Sequence, residues 1–139
     1  MSGRDPSGAA DAERLLAAAR ASMGHAIAPY SGLTVGAALE DASGAIHPGV
    51  NVESVTYSLT LCAERNAVFG AVARGARDFR RLALVSNATT PILPCGACRQ
   101  ILYERAPGLI VIVPKEDGHE EIPIAALLPR PFRDFEPSR

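Results

Sequence analysis

Cysteine occurs at three positions, Cys62, Cys95 and Cys98, and nowhere else in the 139 residues. The last two form a C-x-x-C pair in Pro94-Cys95-Gly96-Ala97-Cys98, and Glu64 follows Cys62 by two positions. Thiolate sulfurs so spaced suit a tetrahedral zinc ion, one per chain. Three protein ligands leave a fourth position open, which marks a catalytic site more than a structural one. A carboxylate beside such a centre that does not ligate it can accept and return protons. Three thiolates outweigh the charge of one Zn2+, so a nearby cation should temper them. Arg65 and Arg99 each adjoin a ligand and could donate hydrogen bonds to sulfur. Other readings stay open. The C-x-x-C could be a redox pair. A histidine (His25, His47 or His119) could close the site into a structural one, although none has ligand spacing to the cysteines.

The elements that must position these groups can be read from pattern. Met1 to Gly8 is polar and is expected to be disordered. Ala9 to Met23 is rich in alanine and leucine and predicts a helix. Thr34 to Leu39 predicts a strand, Asp41-Ala42-Ser43-Gly44 a turn, and Ala45 to Val52 the partner strand, with Pro48 and Gly49 pointing to an edge or an irregularity. Leu61 to Arg74 predicts a helix with Thr60 as N-cap, and Cys95 to Arg105 a second one opened by Pro94. Both cysteine motifs therefore fall at helix N-termini, where the partial positive charge favours thiolate. At such an end the first turn faces the site, so Glu64 can reach it. Arg81 to Val85 and Leu109 to Val113 predict buried strands, Asn87 to Leu93 a loop, Glu121 to Ile124 a short strand and Ile124 to Leu128 a helical turn. Strands separated by helices imply crossovers and a sheet covered on both faces.

Length fits one domain, taken as residues 9–139. The hydrophobic share of 47% and charged share of 21% are those of an ordinary globular protein. A net charge of −1 and an aromatic share of 5% argue against a nucleic-acid partner. No apolar run is long enough to span a bilayer, no leader pattern is evident, and the expected location is cytoplasmic.

A cysteine or histidine, one residue, a glutamate, and later P-C-x-x-C is the pattern by which zinc deaminases remove the amine of a nucleobase, with three cysteines as a permitted set. Four motifs in order make the resemblance closer: Pro29-Tyr30-Ser31 with Val35-Gly36-Ala37-Ala38; Asn51-Val52-Glu53; Cys62-Ala63-Glu64-Arg65-Asn66-Ala67; and Pro94-Cys95-Gly96-Ala97-Cys98-Arg99-Gln100. From about Ala28 to Phe132 the chain resembles the small homotetrameric cytidine deaminases. That resemblance implies a three-layer α/β/α fold with a mixed five-stranded sheet. It implies zinc on Cys62, Cys95 and Cys98, Glu64 as the proton shuttle, and Arg65 tempering the thiolate charge. It implies that Asn51 and Glu53 hold the ribose hydroxyls, that Tyr57 matches the tyrosine after the ribose motif, and that Phe132 reaches into a neighbouring subunit's site. The implied reaction is hydrolysis of cytidine or deoxycytidine to uridine or deoxyuridine and ammonia, by a homo-oligomer expected to be a tetramer acting on free nucleosides in pyrimidine salvage. Two positions depart from the family. Leu33 stands where phenylalanine usually lines the base pocket, and Ser54-Val55 replace Asn-Ala, placing a bulkier Val55 where backbone meets the base. A modified cytosine nucleoside, such as an N4-substituted cytidine or a nucleoside antibiotic, is the alternative substrate. A non-catalytic zinc scaffold and a deaminase acting within nucleic acid are the readings from other classes.

Overall fold

The computed structural model describes residues 9–133. Along the chain run α1 (Ala9–Met23), β1 (Val35–Asp41), β2 (Ile46–Val50), a 3-10 turn (Tyr57–Leu59), α2 (Ala63–Ala73), β3 (Phe79–Ser86), α3 (Gly96–Arg105), β4 (Ile110–Lys115), β5 (Gly118–Pro123) and α4 (Ile124–Leu127). The expected disorder at Met1 to Gly8 lies outside the described residues.

The strands form one mixed sheet in the order β2-β1-β3-β4-β5, in which only β3 and β4 pair in parallel. Alternation along each strand builds two different faces. Ala38, Ala83, Val85 and Ile112 point to one side and pack on α1. That helix buries Ala12, Leu15, Leu16 and Ala19, a stripe at the i, i+3, i+4, i+7 spacing of one helical face. Their sheet neighbours Leu39, Leu82, Leu84, Val111 and Val113 point to the other side, against α2 and α3. The result is the expected three-layer α/β/α arrangement.

Connectivity sets where the two cysteine-bearing helices begin. Both β2 and β3 are antiparallel to β1, so β2 and β3 run in the same direction. The helix α2 crosses over from β2 to β3, and α3 from β3 to β4. Both crossovers advance the same way along the sheet, so both helices cover the same face. Each starts where its preceding strand ends. The N-termini of α2 and α3 therefore emerge at one end of the sheet, beyond the carboxyl ends of parallel strands, where open α/β sheets bind ligands.

Several boundaries differ from the sequence pattern. The α2 helix starts at Ala63 rather than Leu61, because Leu61 is held extended by two backbone hydrogen bonds with Val52 at 3.0 Å. Thr60 is not its cap; its hydroxyl accepts from the Ser54 N–H at 3.0 Å. β5 begins at Gly118, three residues early, because a two-residue turn at Glu116-Asp117 zips β4 and β5 into a full hairpin. Its charged side chains hide it from a search for apolar alternation. β2 is an edge strand, as Pro48 suggests.

Gly49 is required by space. A Cβ there would lie 2.2 Å from the Ala63 carbonyl oxygen and 2.6 Å from the Ala67 nitrogen, against the backbone of α2. We predict that Gly49→Ala destabilises the protein by about 1–3 kcal/mol through overpacking, read by denaturant unfolding. An unchanged midpoint would mean that α2 can shift away from β2.

Candidate active site

Cys62 and Cys95 are the N-cap residues of α2 and α3, both with extended backbone (φ −73°, ψ 155° and φ −69°, ψ 169°). Neither side chain caps its helix by a hydrogen bond. Their sulfurs instead face each other at 3.9 Å, and Cys98, one turn into α3, brings its Sγ to 3.5 Å from that of Cys95. All three donor atoms lie within 4.8 Å of one another. Tetrahedral zinc with Zn–S bonds of about 2.3 Å needs sulfurs about 3.8 Å apart, so the donor set fits the ion. The three cysteines are free thiols.

The electrostatics agree. The Arg65 guanidinium donates from Nη2 to Cys62 Sγ at 3.3 Å. Its Nε is buried with no hydrogen-bond partner among the described residues. A cation held in this way finds its counter-charge in a cluster of thiolates. Hydrogen bonding from Cys98, aided by Arg65, draws the Cys62 thiol down to about 5. The same shared hydrogen bond and burial push Cys98 up. Arg65, bonded to the Cys62 sulfur, favours the thiolate there. Arg99, expected near sulfur, goes elsewhere: it donates to the Pro94 carbonyl at 2.6 Å and the Leu127 carbonyl at 3.0 Å, and so braces the cysteine loop against α4.

Glu64 lies in the first turn of α2 and is 4% exposed. Burial pushes its carboxyl up to about 7, and the charge of Cys62 adds to the shift; its own backbone N–H and Arg65 oppose it. A carboxyl balanced near neutrality can both take and release a proton.

The segment Asn51 to Glu53 is threaded between two others. Ile27 exchanges backbone hydrogen bonds with Asn51 and Glu53 at 3.0 and 2.9 Å, while Val52 pairs with Leu61. In extended chain, residues 51 and 53 project to the same side. The Asn51 amide is buried and spans two backbone groups, accepting from Val35 N–H at 2.9 Å and donating to the Leu33 carbonyl at 2.7 Å. Glu53 accepts from the N–H groups of Tyr30 and Ser31 at 3.0 and 3.1 Å, and from the Ser31 hydroxyl. The Ser31 hydroxyl leads in holding its carboxyl below the usual range. Tyr30 and Ser31 sit within a motif legible in the sequence, but no pattern announced them as the partners of Glu53.

The remaining candidates are peripheral. Leu33 is half-buried against the main core. Val55 and Tyr57 are 75% and 74% exposed, and Tyr57 meets Tyr30 edge-on with ring centroids 6.0 Å apart. Phe132 is 67% exposed. The histidines stay away from the sulfurs: His47 pairs with Asp41 at 2.8 Å, His119 with Glu121 at 3.0 Å, and His25 is at the surface.

Comparison with known proteins agrees with this geometry. The family described as "Cytidine and deoxycytidylate deaminase zinc-binding region" matches residues 9–113. A protein named cytidine deaminase from Sporosarcina psychrophila is 42% identical over 124 residues, covering 88% of this chain and 91% of that relative. The crystal structure of a cytidine deaminase from Burkholderia pseudomallei superposes with a TM-score of 0.82 at 41% identity, covering 86% of this chain and 98% of that one. One from Mycobacterium tuberculosis gives 0.78 at 34% identity, covering 88% and 98%.

Purified protein should carry one zinc per chain, and Cys98→Ala should abolish it. Metal analysis beside thermal unfolding reads both. Full zinc content in that variant would show that the ion sits elsewhere.

Proposed function

Because the chain belongs to the cytidine and deoxycytidylate deaminase zinc-binding family, we propose that it hydrolyses free cytidine or deoxycytidine to the uracil nucleoside and ammonia. The observation that carries this reading is a three-thiol cluster with Glu64, outside that cluster, buried in the adjoining helical turn. Cys62, Cys95 and Cys98 would hold the zinc ion, which when bound would supply the Lewis acidity that lowers the pKa of a water. Glu64 accepts a proton from the attacking water as the water oxygen adds to C4 of the base. It hands the proton to N3. It then carries the proton of the new C4 hydroxyl to the amino nitrogen, the C4–N bond breaks, and ammonia leaves. Arg65 holds the Cys62 sulfur and offsets the excess negative charge. A carboxyl near 7 suits a group that must be base and acid in one cycle.

Glu53 offers the ribose a carboxylate already fixed by three donors from the 30–31 loop. Asn51 acts beside it and also fixes the Leu33–Val35 backbone. Leu33 and Val55 border the base, with Tyr57 at the rim. The working unit is a homo-oligomer, a tetramer by family resemblance. Val55, Tyr57, Leu59 and Phe132 are large apolar side chains between 67% and 75% exposed, as an interface requires. Phe132 then completes the pocket of a neighbouring copy. Among the described residues no helix is long and apolar enough to cross a membrane. A site that needs free thiols fits the reducing cytoplasm. The functional domain is residues 9–139.

Two substitutions separate the roles. Glu64→Gln keeps the shape and removes the titrating group; it should retain zinc and lose about 10²–10⁴ in turnover. Glu53→Ala should raise KM for cytidine by roughly tenfold or more, the cost of one lost charged hydrogen bond, and leave the binding of free pyrimidine bases nearly unchanged. Near-parental turnover in the first, or equal losses for base and nucleoside in the second, would overturn the assigned role. Light scattering should return a multiple of the chain mass; a fully active monomer would remove the shared pocket.

A further inference from the structure

Gln100 stands on α3, two residues after Cys98. Its Nε2 donates to the carbonyl of Phe132 at 2.7 Å, and its Oε1 accepts the N–H of the same residue at 3.1 Å. A side-chain amide that gives to and takes from one residue's backbone copies the exchange between paired strands. Nε2 also donates to Glu104 Oε1 at 2.7 Å, one turn further along the helix. A backbone N–H only donates and a carbonyl only accepts, so Phe132 itself fixes which end of the amide carries nitrogen and gives the clamp one orientation. The same helix holds the chain on either side of this point. Arg99 donates to the Leu127 carbonyl at 3.0 Å, and the Arg133 guanidinium lies 5.7 Å from the centre of the Tyr103 ring.

Yet Phe132, the residue clamped, is 67% exposed. Ordering backbone costs conformational entropy. Two hydrogen bonds on one exposed residue hold its side chain at a fixed place on the surface, which is what a ring shared with a neighbouring copy needs. We propose that Gln100 is the positioning residue for Phe132, holding its backbone so that the ring is presented outward to a second copy of the chain. This rests on the reading that Phe132 completes a neighbour's pocket. Without the clamp the tail samples other conformations, and apparent substrate affinity falls by the fraction of time the ring is misplaced. Steps at C4 do not involve the tail, so kcat should change little.

The test uses the full-length, zinc-loaded enzyme with Gln100→Ala, Phe132→Ala and the double variant. Alanine keeps the helix, and zinc content and thermal midpoint confirm that each variant folds. Two measurements are made: amide hydrogen exchange at Phe132 by NMR, and the KM and kcat for cytidine. In Gln100→Ala we expect exchange at Phe132 to accelerate and KM to rise by roughly tenfold, the worth of one or two net hydrogen bonds, with kcat within about twofold. In the Phe132→Ala background the same change should add nothing, because both act through one group. Unchanged exchange in Gln100→Ala overturns the clamp. Faster exchange with unchanged KM, while Phe132→Ala raises KM, overturns the positioning role. A Phe132→Ala enzyme with parental kinetics removes the shared pocket and with it the positioning role. The exchange data then still report separately whether the clamp exists.

Discussion

The site depends on two cysteines occupying the N-cap positions of two neighbouring helices. An N-cap side chain normally folds back on the first free N–H groups. Here neither sulfur does so, and the two face each other at 3.9 Å. The helix ends still act at a distance, because their partial positive charge favours thiolate. The one arrangement therefore stabilises the ionised form of the ligands and leaves their lone pairs for a metal. It also forces the rest of the architecture. The two helices must open at the same end of the sheet, so two crossovers must advance in the same direction over one face.

The two faces of the sheet divide the labour. Toward α1 the central strands present mostly alanine and valine, and at Gly36 no side chain fits at all, since a Cβ would lie 2.1 Å from the Ala19 carbonyl. This side is a close-packed backing. Toward α2 and α3 the same strands present leucine and valine, which set the spacing of the helices that carry the ligands. Arg81, bonded to the buried Glu40 at 2.9 and 3.0 Å, with Arg14 of α1 joining at 3.2 Å, ties the backing helix to the sheet. A charged triple of this kind fixes how the layers are registered more than it adds stability.

The grouping of the three cysteines, the place of Glu64 in the first turn of α2 and the layer arrangement were legible in the sequence because each rests on local pattern: cysteine spacing, helix starts, and apolar runs of strand length. What could not be read depends on partners distant in the chain. Arg99 adjoins a ligand, yet it serves carbonyls at Pro94 and Leu127. Asn51 is engaged with residues 33 and 35. The start of α2 is set by the pairing of Leu61 with Val52, which no propensity encodes. β5 was only half visible because its side chains are mostly polar, and a two-residue turn rather than burial specifies it.

The edges of the sheet carry a last consequence. β2 ends the sheet on one side with Pro48, which has no N–H to offer a further strand. β5 ends it on the other with His119, Glu120 and Glu121, whose charges discourage a neighbour from docking alongside. Growth strand by strand into an open-ended fibre is thus opposed at both borders. In the oligomer proposed above, contact between copies then falls to the apolar side chains around the 3-10 turn and at Phe132, where a closed assembly can form.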